Sequence, residues 1–162
     1  MSFDNSKCGF ATKAIHAGEE PDFRDGATGD VVAPIHLSTT FARKKVSSPT
    51  AGYEYTRSLN PTRKALETKL ASLENAQYGL AFSSGLAAES TILLSLLKPG
   101  DHVVAFDDLY GGTKRLFNHV FSNLGVEASY VDATVSSLVE QAIRPSTKLV
   151  WIETPSNPLL KV

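Results

Sequence analysis

The chain has 162 residues with 16 basic and 17 acidic side chains, and 42% of its residues are apolar. A formal net charge of −1, without a long run of like charge, argues against a nucleic-acid or membrane-surface partner and favours a small molecule or another protein. One cysteine, Cys8, excludes an intrachain disulfide and fits a reducing compartment. Because the sequence shows neither a signal peptide nor an apolar stretch of ~20 residues, we expect a cytoplasmic protein.

Glycines and prolines interrupt residues 1–60, where few periodic apolar patterns are present. This composition predicts irregular structure. Because a long irregular segment does not favour autonomous folding, we expect these residues to form an N-terminal arm. His16 and His36 have no Cys, His or carboxylate set at metal-ligand spacing, so we expect no metal site.

The arm ends in a polar and aromatic segment. Tyr53, Tyr55 and Arg57 occupy alternate positions, and in an extended chain they would point the same way. Asn60 followed by Pro61 predicts the cap and first residue of a helix. Taken alone, Arg57 fits a surface ion pair of little energy at least as well as a ligand contact.

Helical and strand patterns alternate after residue 60. They predict a helix carrying Leu66, Leu70 and Leu73, strands over 78–82, 102–106, 126–131 and 148–153, and helices over 86–97, 113–123 and 135–143. This alternation predicts an α/β fold in which a parallel-rich sheet has helices on both faces. In such sheets ligands bind beyond the carboxyl ends of the strands.

The run Ala81-Phe82-Ser83-Ser84-Gly85-Leu86-Ala87-Ala88 joins a predicted strand to a predicted helix. Backbone N–H groups at a helix start have no intrahelical partner and lie at the positive end of the helix dipole, so this turn is a candidate anion site. The alternative is a capped turn without a ligand, because small residues also allow close packing.

Two further segments follow predicted strands. Tyr110-Gly111-Gly112 comes after one of them, and its glycines leave room for a ligand near the tyrosine, although a half-buried core tyrosine is the commoner outcome. Glu153 and Asn157 follow another strand. Glu153 is equally compatible with a structural role, as an acceptor for backbone N–H groups.

These four segments in order resemble the cystathionine gamma-lyase and gamma-synthase group of the pyridoxal-phosphate enzymes of cysteine and methionine metabolism. The resemblance runs from about residue 10 to residue 162. It implies a type I, aspartate-aminotransferase-like fold and the cofactor pyridoxal 5'-phosphate (PLP). It also implies that residues 1–60 are an arm making intersubunit and cofactor-phosphate contacts, and that residues 61–162 are the first part of the PLP-binding domain.

The resemblance implies a role for each matching residue. The cofactor phosphate would be held by Ser84 and by the backbone N–H groups of Gly85 and Leu86. Tyr55 and Arg57 would reach the phosphate of a neighbouring subunit, where the guanidinium fork suits two phosphate oxygens.

The remaining matching residues surround the ring and the substrate. Tyr110 would stack on the pyridine ring close to the reacting carbon, and Asn157 would hydrogen-bond the phenolic oxygen of the cofactor. Tyr55 and Arg115 would also contact substrate, although Arg115 fits a helix-surface arginine nearly as well. Related methionine gamma-lyases carry cysteine where Gly112 stands, which makes their substrate chemistry less fitting here.

Two groups that PLP chemistry needs have no match in the sequence: the Schiff-base lysine and the acid that faces the pyridine nitrogen. In the family both lie further along the chain, and Lys161 matches neither. We therefore expect this chain to be the N-terminal part of an enzyme, inactive alone, whose partners are the C-terminal remainder and the other subunits of a homotetramer built as a dimer of dimers.

The expected reaction is PLP-dependent transsulfuration at the gamma carbon of an amino acid. Cystathionine gamma-lyase activity, giving cysteine, 2-oxobutanoate and ammonia, is the first interpretation. Cystathionine gamma-synthase or O-acyl-homoserine sulfhydrylase activity is the alternative. A catalytically inert assembly module without the lysine is the alternative outside enzymes.

Overall fold

The computed structural model describes residues 4–162, which form two compact units. The first unit ends at Ala81, and the second runs from Phe82 to Val162. The boundary between the two units therefore lies after the helix Pro61–Leu73, whereas the division expected from the sequence lies before this helix. The predicted division of roles at residue 60 concerns subunit and cofactor contacts, and it stays a prediction. Within residues 4–162, no helix combines the length and apolar character that crossing a membrane requires.

The first unit contains little regular structure. Its elements are helix α1 (Phe10–His16), the antiparallel strands β1 (Arg43–Lys45) and β2 (Ser48–Pro49), helix α2 (Pro61–Leu73), and 3-10 turns at Asn5–Lys7 and Thr50–Gly52. Helices α1 and α2 are in contact. Residues 17–39 contain neither helix nor strand, as the glycine and proline content predicted.

Helix α2 begins where the sequence predicted. The side-chain oxygen of Asn60 accepts the N–H of Thr62 at 2.9 Å, and Pro61 is the first helical residue. The Asn60 amide also donates to the carbonyl of His36 at 3.1 Å and to Oγ1 of Thr56 at 2.7 Å. This one side chain therefore joins the start of α2 to two earlier segments of the arm.

The second unit contains a three-stranded parallel sheet. Strand β3 (His102–Phe106) lies between β4 (Glu127–Val131) and β5 (Thr147–Trp151), so the order is β4-β3-β5. Helix α3 (Gly85–Leu96) precedes the sheet, and helix α5 (Ser136–Ala142) connects β4 to β5. These parallel strands and connecting helices confirm the predicted α/β class.

The connection from β3 to β4 departs from the single predicted helix. It begins as α4 (Gly111–Arg115), continues as a π-helical segment at Leu116–Phe121, and ends in a 3-10 turn at Ser122–Leu124. Gly125 then takes a left-handed conformation with φ of 77°, which a glycine adopts without steric cost.

All five residues of β3 are buried. Three of them, Val103, Ala105 and Phe106, belong to the main apolar cluster, whose other buried members are Leu93, Leu109, Phe117, Phe121 and Val126. The ring of Trp151 on β5 meets Phe117 edge-on, with a centroid separation of 6.1 Å. The core of this unit is thus centred on the middle strand of the sheet.

The predicted strand over residues 78–82 is not formed; that prediction was wrong. Backbone N–H and C=O groups need partners, and among residues 4–162 no strand lies alongside this segment. The N–H of Ala81 instead donates to the Glu67 carboxylate at 3.1 Å. On α2, Leu66 and Leu70 are about half exposed, whereas Glu67 and Ala71 are buried.

His102 opens β3 and is 1% exposed. Its Nδ1 lies 2.7 Å from Oγ1 of Thr147 on β5, and its Nε2 lies 2.9 Å from Oγ of Ser129 on β4. The imidazole therefore bridges both neighbouring strands. Burial lowers the pKa of His102, and the nearby positive charge of Arg144 lowers it further, while Glu127 opposes the shift.

We expect this histidine to make stability depend on pH. Because the folded state lowers its pKa, its contribution is complete above about 6.5, the ordinary histidine pKa, and is lost as the pH falls through the lowered value. The midpoint temperature of thermal unfolding should decrease when the pH is lowered from 7.5 to 5, and this decrease should be smaller in His102→Gln than in the parent. His119→Gln changes an exposed histidine and should keep the full fall of the parent. An equal fall in all three proteins would contradict this assignment.

Candidate functional site

The start of α3 presents free backbone donors to open space. Ser84 caps the helix: its Oγ accepts the N–H of Ala87 at 3.1 Å, and its carbonyl accepts the N–H of Ala88 at 3.1 Å. The N–H groups of Gly85 and Leu86 have no acceptor within residues 4–162. A Cβ added to Gly85 would meet nothing within 4 Å. This turn can therefore donate two N–H groups to an anion while its own cap is satisfied.

Tyr110 lies between β3 and α4, directly before the first residue of the helix. Its N–H donates to Oε2 of Glu153 at 2.8 Å, and its side chain is 46% exposed. Glu153 therefore acts as a backbone acceptor, the structural role that the sequence left open. The hydrogen bond fixes the backbone of Tyr110 against the segment that follows β5.

The Tyr110 ring lies beside Gly112 and the start of α3. A Cβ added at Gly112 would overlap Cε1 of Tyr110 and lie 3.0 Å from Cδ1 of Leu86. Tyr110 and Leu86 are thus brought together around a glycine without spare room. A side chain at position 112, such as cysteine, requires the Tyr110 ring to lie elsewhere.

Arg115 is an exposed residue at the end of α4. Its Nη1 would lie 3.7 Å from a Cβ added to Gly111, so the guanidinium reaches back to the residue next to Tyr110. Asn157 lies in the loop after β5, exposed and without a side-chain hydrogen bond to any of residues 4–162. Arg115 and Asn157 are both open to a ligand.

Tyr55 and Arg57 lie in the first unit and form a pair. The Arg57 guanidinium lies 5.1 Å from the centroid of the Tyr55 ring. The expected extended alternation was wrong, because the chain turns after Tyr55, whose carbonyl accepts the N–H groups of Ser58 and Leu59 at 3.0 Å each. Tyr53 instead packs its ring on Phe41 with a centroid separation of 5.5 Å.

The Arg57 side chain is exposed and, in the described part of the chain, has no carboxylate within ion-pair distance. The surface ion pair that the sequence allowed is therefore not formed within this chain. A guanidinium stacked on an aromatic ring keeps its five N–H donors available to an anion.

Lys161 joins the ends of two strands. Its Nζ lies 3.1 Å from Oδ1 of Asp107, which follows β3, and 3.2 Å from Oδ2 of Asp132, which follows β4. The hydrogen bond to Asp107 raises the pKa of Lys161, and a hydrogen bond from Thr134 lowers the pKa of Asp132. Lys161 is therefore engaged in a structural ion-pair network, which agrees with its having no catalytic match.

Sequence reasoning missed this network, although one signal was present. Asp107 and Asp132 each follow a predicted strand directly, and the carboxyl ends of parallel strands share one edge of the sheet. It also missed Asp108 and Ser156, two buried polar residues on the same edge.

The sequence profile of the Cys/Met metabolism PLP-dependent enzyme family matches residues 11–162. The chain belongs to this PLP-dependent family. A probable cystathionine gamma-synthase from Herpetosiphon aurantiacus is 50% identical over 154 residues, covering 95% of this chain and 47% of that protein. The cystathionine gamma-lyase of Saccharomyces cerevisiae is 54% identical over 153 residues, covering 94% of this chain and 37% of that protein.

A solved structure shows the same fold. The crystal structure of metB from Corynebacterium glutamicum aligns with a TM-score of 0.94 and 51% identity, covering 99% of this chain and 41% of that chain. The chain thus spans less than half the length of the relatives it matches.

Replacing Glu153 tests the anchor of Tyr110. We expect Glu153→Ala to destabilise the full-length protein by about 1–2 kcal/mol, because the N–H of Tyr110 loses a charged acceptor. Glu153→Gln keeps an acceptor oxygen and should lose less than half as much. Thermal unfolding of the two variants beside the parent measures the difference. Equal stability of Glu153→Ala and the parent would show that water replaces the carboxylate at no cost.

Proposed function

We propose that the full-length protein is a PLP-dependent transsulfuration enzyme that acts at the gamma carbon of an amino acid. The first candidate reaction is that of cystathionine gamma-lyase, which converts cystathionine to cysteine, 2-oxobutanoate and ammonia. One observation carries the proposal. Leu86 carries one of the free N–H donors at the start of α3, and its side chain and the ring of Tyr110 both lie beside Gly112, so the candidate anion site and an aromatic face are neighbours.

This surface fits PLP in two respects. The N–H groups of Gly85 and Leu86 would hold the phosphate, and the Ser84 hydroxyl, which accepts from Ala87, still has its own hydrogen to donate. The flat face of Tyr110 would cover the pyridine ring. The open space beside Gly85 leaves the phosphate room to approach the backbone.

When bound, PLP supplies an electron sink that stabilises negative charge beside the amino group of a substrate. The residues of this chain would orient the cofactor and the substrate around that chemistry. The Tyr110 phenol would hold a proton near the reacting carbon, and Asn157 would donate to the phenolic oxygen of PLP. Arg115, next to Gly111, would attract the carboxylate of the substrate.

Tyr55 and Arg57 would complete the phosphate site of a neighbouring subunit and contact its substrate. The stacked and unpaired guanidinium of Arg57 supports this role, because no internal ion pair must break before it binds an anion. We infer a homotetramer built as a dimer of dimers, located in the cytoplasm. The C-terminal remainder of the protein would supply the Schiff-base lysine and the acid at the pyridine nitrogen.

Cystathionine gamma-synthase or O-acyl-homoserine sulfhydrylase activity is the second candidate. A relative named as a probable gamma-synthase matches this chain about as well as the yeast gamma-lyase does, which supports it. An inert assembly module is the third candidate. A module of that kind has no physical need for free donors at α3 together with an exposed Tyr110.

Assays of the full-length protein separate these candidates. We expect release of 2-oxobutanoate from cystathionine to exceed the formation of cystathionine from an activated homoserine ester and cysteine. Tyr110→Phe should keep the yellow cofactor and slow turnover, because the ring remains and the phenol is lost. The reverse order of the two activities would favour the synthase, and absence of both would favour the inert module.

A complementation experiment tests whether Arg57 acts on the neighbouring subunit. Arg57→Ala should weaken PLP binding at least tenfold, because removing a charged partner from phosphate costs about 1.5–3 kcal/mol. A full-length Arg57→Ala subunit is mixed with a subunit lacking the Schiff-base lysine, at a PLP concentration too low to fill the weakened site, so that each is inactive alone. We expect activity to return, because a mixed dimer collects both defects in one site and leaves the other site intact.

Arg24→Ala is the matched control, because Arg24 is an exposed arginine of the same unit that pairs with Asp22. This variant should be active alone and bind PLP like the parent. If the mixture with Arg57→Ala stays inactive although mixed dimers form, Arg57 serves its own subunit and the proposed arrangement is wrong.

A further inference from the structure

Two buried polar side chains connect the loop after β3 to the loop after β5. Asp108 is 7% exposed and Ser156 is 1% exposed. The Ser156 hydroxyl donates to Oδ2 of Asp108 at 2.5 Å, and the N–H of Leu159 donates to the same oxygen at 2.9 Å. One carboxylate oxygen therefore binds two points of a loop that lies about 50 residues away in sequence.

Ser156 also closes that loop on itself. Its Oγ accepts the N–H of Lys161 at 2.8 Å, and its N–H donates to the carbonyl of Lys161 at 2.9 Å. The Ser156 side chain thus donates to Asp108 and accepts from Lys161 at the same time. Both ends of the segment 156–161 are held at one buried point.

The residues next to this point include two that the proposed function places on PLP. Asp108 precedes Tyr110 by two positions, and Ser156 directly precedes Asn157. Asn157 has no side-chain hydrogen bond of its own within residues 4–162. Its position therefore depends on the backbone that Ser156 anchors.

We propose that Asp108 and Ser156 are positioning residues that hold Asn157 in place to hydrogen-bond the cofactor. The inference rests on the proposed function, because it assigns these residues a role through Asn157. A hydrogen bond from a loop residue to a ligand needs the loop fixed within about 0.5 Å, which a buried, charge-assisted anchor achieves. Neither Asp108 nor Ser156 would touch the cofactor.

A double-mutant cycle measures this coupling in the full-length protein. The equilibrium dissociation constant of PLP is measured by titrating the apoprotein with PLP for the parent, Ser156→Ala, Asn157→Ala and the double variant. We expect each single change to weaken PLP binding about 2- to 10-fold, the loss of one hydrogen bond. The PLP dissociation constant of the double variant should be no higher than that of the single variant that binds PLP more weakly, because both changes remove the same contact.

Ser129→Ala is the matched control, because the Ser129 hydroxyl, like that of Ser156, has two hydrogen-bond partners, here the side chains of His102 and Arg144. It should lower the midpoint of thermal unfolding as Ser156→Ala does, and leave the PLP dissociation constant unchanged. Two substitutions at Asp108 keep the proposal testable if Ser156→Ala does not fold. Asp108→Asn retains an oxygen that can accept both hydrogen bonds and should bind PLP within about twofold of the parent, whereas Asp108→Ala should not.

Three results would overturn the proposal. If Ser156→Ala lowers stability but leaves the PLP dissociation constant unchanged while Asn157→Ala raises it, the anchor is merely structural. If the fold increase in the PLP dissociation constant of the double variant equals the product of the two single increases, the residues act independently. If Asn157→Ala itself has no effect on PLP binding, the contact of Asn157 with PLP in the proposed function fails together with this inference.

Discussion

The pairing of β3 on both sides is the interaction on which the second unit depends. Each residue of His102–Phe106 is buried, and parallel neighbours occupy both edges of the strand. A slip of one residue would exchange the two faces of the strand and separate His102 from its partners Thr147 and Ser129. The register therefore determines where the chain leaves the sheet after Phe106. Asp107, Asp108 and Tyr110 reach the same edge because they follow immediately.

Three contacts then join two loops that are distant in sequence. Glu153 accepts the N–H of Tyr110, Asp108 binds the loop at Ser156, and Lys161 pairs with Asp107. Each contact joins the segment after β3 to the segment after β5. A motion of one loop must break a buried or charge-assisted hydrogen bond to the other. The candidate site is thus built on loops but supported by the strands beneath them.

Local patterns predicted much of this structure from the sequence. Asn60 caps its helix as predicted, because a cap depends on residues two or three positions away. Contacts with distant partners escaped prediction. The segment 78–82 has strand-like residues but no strand beside it, and the partner of Asp108 lies 48 residues away. Neither fact is encoded in hydrophobic periodicity.

The stacking of Arg57 on Tyr55 has a consequence for the speed of anion capture. The ring holds the guanidinium 5.1 Å from its centroid without neutralising the charge. The electric field of an exposed, unpaired charge extends about one Debye length into solution, roughly 8 Å at physiological ionic strength. It accelerates the approach of a phosphate before any contact forms, and added salt slows that approach. If Arg57 binds the cofactor phosphate as proposed, the association rate constant of the cofactor would depend on ionic strength through this residue.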